Sequence, residues 1–168
     1  MMAAPERTTQ SYGPGVTSAS KAVLLEGVTS LRTFGDALIL IGGWAPYFLL
    51  QQHQRSEDRF VHVGSIDIDV VLDPAKAGQA EYEAMVQTLQ ERGYRLAPAT
   101  AKGMPGPTSL LRNVQSPTTS KPYTIQLDVL PPNQLGASEG LLARKTRGCE
   151  AALAHHTTIQ LSGTLPEG

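Results

Sequence analysis

Three aspartates in strand-like surroundings constrain this chain more than any other feature. Asp67 and Asp69 alternate with apolar residues in segment 66–72, and Asp128 lies in the similar segment 123–130. Because successive side chains of a β-strand point to opposite faces, Asp67 and Asp69 share one face and their apolar neighbours share the other. Adjacent carboxylates repel each other, and a divalent cation with oxygen ligands removes that repulsion. A third carboxylate on a neighbouring strand would complete a two-metal site of the kind that assists phosphoryl transfer.

The composition predicts one globular domain without a membrane anchor. The 168 residues can bury a hydrophobic core, and the apolar fraction of 40% with a charged fraction of 17% is typical of a folded protein. The net charge of −1 gives no global basic field for a long nucleic acid. The single cysteine, Cys149, cannot form an internal disulfide, and neither a signal peptide nor a membrane-length apolar run is seen. These features predict a cytoplasmic protein.

The hydrophobic pattern predicts alternating helices and strands. Residues 1–18 show no period and predict a disordered N-terminal tail, which leaves residues 19–168 as the domain. The predicted helices are 20–34, 44–52, about 82–93 and 141–155. The predicted strands are 37–41, 66–72, 109–114, 123–130 and 157–161. This order predicts an α/β (α+β) domain with a mixed sheet of about four to five strands flanked by helices.

Two glycines, Gly42 and Gly43, lie where a predicted strand turns into a predicted helix. Without a Cβ the backbone approaches a phosphate closely, and the helix N-terminus supplies N–H groups and a favourable dipole. Ser65, just before the aspartate pair, would donate to a triphosphate oxygen or cap a strand end. The alternatives are a plain turn for the glycines and a solvated strand edge for the aspartates.

The combined pattern resembles the nucleotidyltransferase superfamily typified by DNA polymerase β. The signature of that family is a hydrophobic residue followed by two small residues, an acidic-x-acidic strand, and a third acidic residue on a later strand. The corresponding residues are Ile41-Gly42-Gly43, Asp67-Ile68-Asp69 and Asp128. The resemblance covers roughly residues 38–130 and looks closest to the minimal and AbiEii-like toxin nucleotidyltransferases. It implies the nucleotidyltransferase fold and transfer of a nucleoside monophosphate from an NTP, such as ATP, to an acceptor hydroxyl, with Mg²⁺ and release of pyrophosphate.

The resemblance also implies a role for each residue of the pattern. Asp67 and Asp69 would hold the Mg²⁺ ions that bridge the triphosphate. Asp128 would hold the second metal and help to deprotonate the acceptor hydroxyl. The nucleotide phosphates would contact Gly42 and Gly43 of the pattern, together with Ser65 just before its acidic strand.

The acceptor differs among the families that share this pattern. The AbiEii-like resemblance implies a toxin of a toxin–antitoxin system, with RNA or protein as target and an antitoxin protein as partner. The Gly-Gly-Trp start also resembles aminoglycoside and lincosamide nucleotidyltransferases, which modify a small-molecule hydroxyl. Relatives commonly carry a further helical part with Lys or Arg, and the sequence predicts a domain without it. The alternative from a different functional class is a nucleotide-binding domain that keeps the fold without catalysing transfer.

Several other residues that could belong to a functional site are expected to have structural roles instead. His62, near the aspartate pair, is expected to be structural, and the pair His155-His156 lacks an acidic or cysteine partner at metal-ligand spacing. Trp44 and Cys149 are expected in the core. The basic residues of the last predicted helix are expected on a solvated face rather than on a nucleic acid: Arg144, Lys145 and Arg147.

Overall fold

The computed structural model describes residues 12–55, 57, 61–97, 108–130 and 148–166. Its α-helices are α1 Pro14–Ser30, α2 Trp44–His53, α3 Gln79–Glu91 and α4 Cys149–Ala154. Its strands are β1 Leu38–Ile41, β2 Asp67–Leu72, β3 Arg95–Leu96, β4 Thr108–Gln115 and β5 Pro122–Leu130. A 3-10 helix, Arg32–Ala37, joins α1 to β1.

The described residues form a five-stranded mixed sheet in the order β1-β2-β5-β4-β3. The central pair, β2 and β5, is parallel, and the other neighbouring pairs are antiparallel. Parallel neighbours need a long connection, and here the chain passes through α3, β3 and β4 before it returns as β5. The predicted α+β class, a mixed sheet flanked by helices, is confirmed.

The two faces of the sheet differ in chemistry. One face carries the apolar residues of β2 and β5 and packs with α1 and α3 in one buried cluster. Residues from these four elements in the cluster include Val23, Leu24, Ile68, Val70, Tyr82, Leu89, Leu127 and Val129. The other face carries the aspartates at one end and, two residues further along each strand, Val71 and Leu130. The period-two pattern of the sequence therefore separates core from carboxylates, as the alternation predicts.

Helix α4 covers the apolar end of the aspartate-bearing face. Cys149 at its start forms a second buried cluster with Val71 and Leu130. Burial, with the nearby Glu150 carboxylate as the smaller cause, raises the pKa of the Cys149 thiol. The expectation that this cysteine is a core residue is confirmed. Residues 141–147 of the predicted last helix lie outside the described residues, and Gly148 is the N-cap of α4.

The N-terminal part of the chain departs from the predicted boundaries. Helix α1 begins at Pro14, so residues 14–18 are helical and the predicted tail cannot extend through them. Proline suits a first helical turn because the N–H that it lacks has no partner there. Residues 1–11 of that predicted tail lie outside the described residues. The predicted helix 20–34 ends at Ser30, and residues 32–37 form the 3-10 helix instead.

Apolar residues lie on nearly every side of helix α2, which is typical of a fully buried helix, but the structure buries only part of it. Only Trp44 and Phe48 of this helix are buried, and the rest are half-buried or exposed. The reason is position, because α2 packs beside β1, which is an edge strand of the sheet. The apolar composition of the helix could not reveal that its neighbour ends the sheet.

Two other strand predictions differ at the sheet edges. The two-residue strand β3 pairs with β4 and was not expected, since two residues give no detectable pattern. Segment 157–161 was predicted as a strand, and it makes no strand pairing in the described structure. Ile159 and Leu161 nevertheless pack against the main core cluster, which accounts for their alternating apolar pattern.

An ion pair fixes α1 to the sheet. Arg112 of β4 donates from Nε to Glu26 Oε2 at 3.1 Å and from Nη2 to Glu26 Oε1 at 3.0 Å. The guanidinium carbon lies 5.8 Å from the ring centroid of Tyr94, whose hydroxyl donates to the Val23 carbonyl at 3.1 Å. The bond to Glu26 raises the pKa of Arg112, and burial raises the pKa of Tyr94. Bidentate guanidinium–carboxylate pairs of this kind specify geometry as well as stability.

We expect Arg112→Met to lower the free energy of unfolding by about 1–3 kcal/mol, because Glu26 would keep its charge without its donors. Urea unfolding followed by circular dichroism measures the change. Lys76→Met is the control, since Lys76 pairs with Asp73 at 3.7 Å on the surface and should contribute less than about 1 kcal/mol. Equal losses in the two variants would contradict the anchoring role of Arg112.

Candidate functional site

The Gly42-Gly43 turn lies directly against two other residues of the predicted site. Gly42 has φ of 67°, in the left-handed region, and Gly43 is the N-cap of α2. A Cβ added at Gly42 would lie 2.6 Å from Asp69 Oδ2. A Cβ added at Gly43 would lie 3.0 Å from Ser65 Oγ. The absence of side chains therefore lets this turn approach the aspartate strand and its entrance.

The sheet register brings the three aspartates to one face. Asp69 of β2 is the direct partner of Asp128 on the parallel strand β5, and Asp67 is the partner of Gln126. Ile41, the last residue of β1, is the partner of Asp69 on the other side. Register partners on adjacent strands point to the same face and stand about 4.8 Å apart. The prediction that a later strand places a third carboxylate beside the pair is thus met by the backbone, and all three carboxylates are half-buried.

Two polar side chains, Ser65 and Gln126, donate hydrogen bonds to two of the aspartates. The Ser65 hydroxyl, on a buried residue, donates to Asp67 Oδ1 at 2.9 Å. The Gln126 amide lies 3.0 Å from both Oδ1 and Oδ2 of Asp128. Gln126 was not among the predicted site residues. Its signal in the sequence is its position two residues before Asp128, which puts both side chains on the same face of β5.

The donor set suits Mg²⁺ in type and in placement on the sheet. Carboxylate oxygens are the ligands that this hard cation prefers, and Gly42 leaves space beside the Asp69 carboxylate that a Cβ would fill. Within the described parts of the chain, no three Asp, Glu, His or Cys side chains converge as a ready-made metal site. Residues Asp67, Asp69 and Asp128 therefore share a face without forming a closed cluster, and a cation bound by all three would require side chains to turn toward it.

The segment before Ser65 is held by an aromatic contact. Gly64 has φ of 89° and lies close to the Trp44 indole, since a Cβ added at Gly64 would be 2.7 Å from Trp44 Cη2. The Gly64 N–H donates to His62 Nδ1 at 3.0 Å, and the Trp44 indole N–H donates to Ser20 Oγ at 3.1 Å. Trp44 is a core residue, as expected. It also sets the path of the chain into the aspartate strand.

A cavity of about 990 Å³ lies beside β1 and not at the carboxylates. Its lining is largely apolar and includes Leu40, Gly42 and Leu49, with His155 and His156 from the C-terminal segment. The cavity therefore reaches the glycine turn but none of the three aspartates. The basic residues Arg144, Lys145 and Arg147 lie outside the described residues.

Comparison with protein-family models, with curated proteins and with solved structures finds no match. A search of the described residues finds no helix that is long and apolar enough to cross a membrane.

We expect Gly42→Ala to lower the free energy of unfolding by about 1–2 kcal/mol, because an L-residue is strained in the left-handed region. The new methyl group would also displace the Asp69 carboxylate. Thermal unfolding in the absence of metal measures the first effect. Gly35→Ala is the matched control, since nothing lies within 4 Å of its added Cβ. A Gly42→Ala variant as stable as the control would contradict the close approach of the turn to Asp69.

Proposed function

We propose that this chain is a metal-dependent nucleotidyltransferase that moves a nucleoside monophosphate from an NTP to an acceptor hydroxyl. The observation that carries the proposal is the register of β2 against β5, which sets Asp69 directly beside Asp128 with Asp67 on the same face. The glycine turn of β1 adds a backbone surface against the same carboxylate. This arrangement supports the nucleotidyltransferase resemblance of the sequence independently of residue spacing, because register is a property of the folded sheet.

The proposed division of labour follows from where each side chain lies. Asp67, Asp69 and Asp128 would hold Mg²⁺, which supplies charge neutralisation for the triphosphate and the leaving pyrophosphate. The backbone of the glycine turn and the start of α2 would face the phosphates, where N–H groups favour anions. Ser65 is bonded to Asp67 and so orients that carboxylate in the structure. Asp128, on the neighbouring strand, would accept the proton of the acceptor hydroxyl.

Positioning and electrostatics would supply most of the rate enhancement, as in phosphoryl transfer generally. The sheet provides the rigid part, since the three aspartates lie on hydrogen-bonded central strands and not on loops. Replacing an aspartate by asparagine keeps shape and removes charge. Such a change tests the chemistry without disturbing the packing on the opposite face of the sheet.

We expect Asp67→Asn and Asp69→Asn each to reduce nucleotidyl transfer by at least about a hundredfold, because loss of one charged group at a reacting phosphate typically has an effect of that size. Release of pyrophosphate from each NTP with Mg²⁺, in the presence of candidate RNA, protein and aminoglycoside acceptors, measures the rate. Chelation of the metal should abolish it.

Asp73→Asn is the matched control for this experiment. Asp73 follows β2 directly, and its Oδ1 accepts from the Ala75 N–H at 3.0 Å, away from the other aspartates. This variant should keep the wild-type rate. Full activity in both Asp67→Asn and Asp69→Asn would refute the proposed enzyme.

A nucleotide-binding domain without turnover is the second candidate. The observation that favours it is that no three ligand side chains converge among the residues of the described ranges. Calorimetric titration of the four NTPs with Mg²⁺, on wild type and on Asp67→Asn/Asp69→Asn, separates the two candidates when combined with the turnover assay. Metal-dependent binding without pyrophosphate release would favour the silent domain.

The acceptor is proposed from the sequence resemblance alone. An AbiEii-like toxin, partnered by an antitoxin protein, would arrest growth when expressed, and the arrest would disappear in Asp69→Asn. An aminoglycoside- or lincosamide-type enzyme would instead raise drug tolerance without arrest. These two outcomes assign the acceptor class by a single expression experiment in cells.

A further inference from the structure

Gln126 lies at the centre of the aspartate-bearing face without a role in the core. It is exposed, it is the register partner of Asp67, and it precedes Asp128 by two residues on the same face of β5. Its amide nitrogen is 3.0 Å from each oxygen of the Asp128 carboxylate and 3.5 Å from Ser109 Oγ. Ser109 is the register partner of Asp128 on β4. The amide therefore contacts both oxygens of the Asp128 carboxylate, and Asp69 is the register partner of Asp128 on the neighbouring strand β2.

We propose that Gln126 is a positioning residue, whose amide holds the Asp128 carboxylate in the orientation from which it shares a divalent cation with Asp69. The inference rests on the proposed nucleotidyltransferase function. An amide donor placed between both carboxylate oxygens fixes the side-chain torsion of Asp128 before the cation arrives. When the cation binds one oxygen of Asp128, the other oxygen keeps its hydrogen bond to Gln126. The conformation of the Asp128 side chain is therefore fixed before the cation binds.

An uncharged donor suits this position better than a charged residue. A carboxylate at 126 would add a further negative charge beside Asp67, and a lysine would repel the cation. A neutral amide orients Asp128 at no electrostatic cost to cation binding. Hydrogen-bonded partners of ligating carboxylates commonly change metal affinity by about 10–100-fold when they are removed.

The test is the affinity of the full chain for Mn²⁺, measured from the electron paramagnetic resonance signal of the free ion. Gln126→Met keeps the length of the side chain and removes the donor, and we expect it to raise the Kd for Mn²⁺ by about 10–100-fold. Thr124→Val is the matched control. Thr124 lies on the same face of the same strand, and its hydroxyl donates to Asn113 at 2.9 Å rather than to a carboxylate. Its Kd should equal that of wild type.

A double-variant cycle identifies the route of the effect. If Gln126 acts through Asp128, Gln126→Met should have no further effect on Kd in the Asp128→Asn background, whereas a general structural effect would persist there. An unchanged or tighter Kd in Gln126→Met alone overturns the inference. If that result accompanies loss of Mn²⁺ binding in Asp69→Asn, the proposed function stands without Gln126. If wild type binds no Mn²⁺, both the inference and the proposed metal-dependent function fail.

Discussion

The parallel pairing of β2 with β5 is the constraint on which the rest of this structure depends. Its register sets Asp69 beside Asp128 on one face, and by the same alternation it sets Val70 beside Val129 in the core. A slip of one residue would exchange the two sets and put carboxylates into the apolar cluster. The buried face therefore fixes the geometry of the polar face. Core packing and the candidate site are two consequences of a single hydrogen-bonded ladder.

The sequence predicted the central part of this fold well, because strong patterns lie there. Strands β1, β2, β4 and β5 and helices α2 and α3 follow from period-two and helical apolar spacing, and the sheet is of the expected mixed type. Pro14 marks the start of α1 as a first helical turn, whereas the two-residue strand β3 and the unpaired segment 157–161 could not be predicted. These depend on which strand lies at the edge and on what packs there, and a local pattern carries no information about either.

The candidate site shows a similar division. Alternation placed Asp67 and Asp69 on one face, and the glycine pair marked the turn that approaches Asp69. The partnership of Asp69 with Asp128 was an expectation from a family resemblance, since sequence spacing does not determine register. Gln126 could not be predicted as a site residue, because glutamine is common on strand faces and only its distance to both oxygens of Asp128 distinguishes it.

Helix α4 also affects the electrostatics of the aspartate-bearing face. It covers Val71 and Leu130, so the sheet surface changes from hydrocarbon to polar within two residues along each strand. Asp69 and Asp128 thus stand at a dielectric boundary, with a medium of low polarisability on one side and water on the other. Charges at such a boundary interact more strongly than in bulk water, and dissolved salt screens them less. The mutual repulsion of the two carboxylates should accordingly persist at ionic strengths that screen the interactions of fully exposed surface charges.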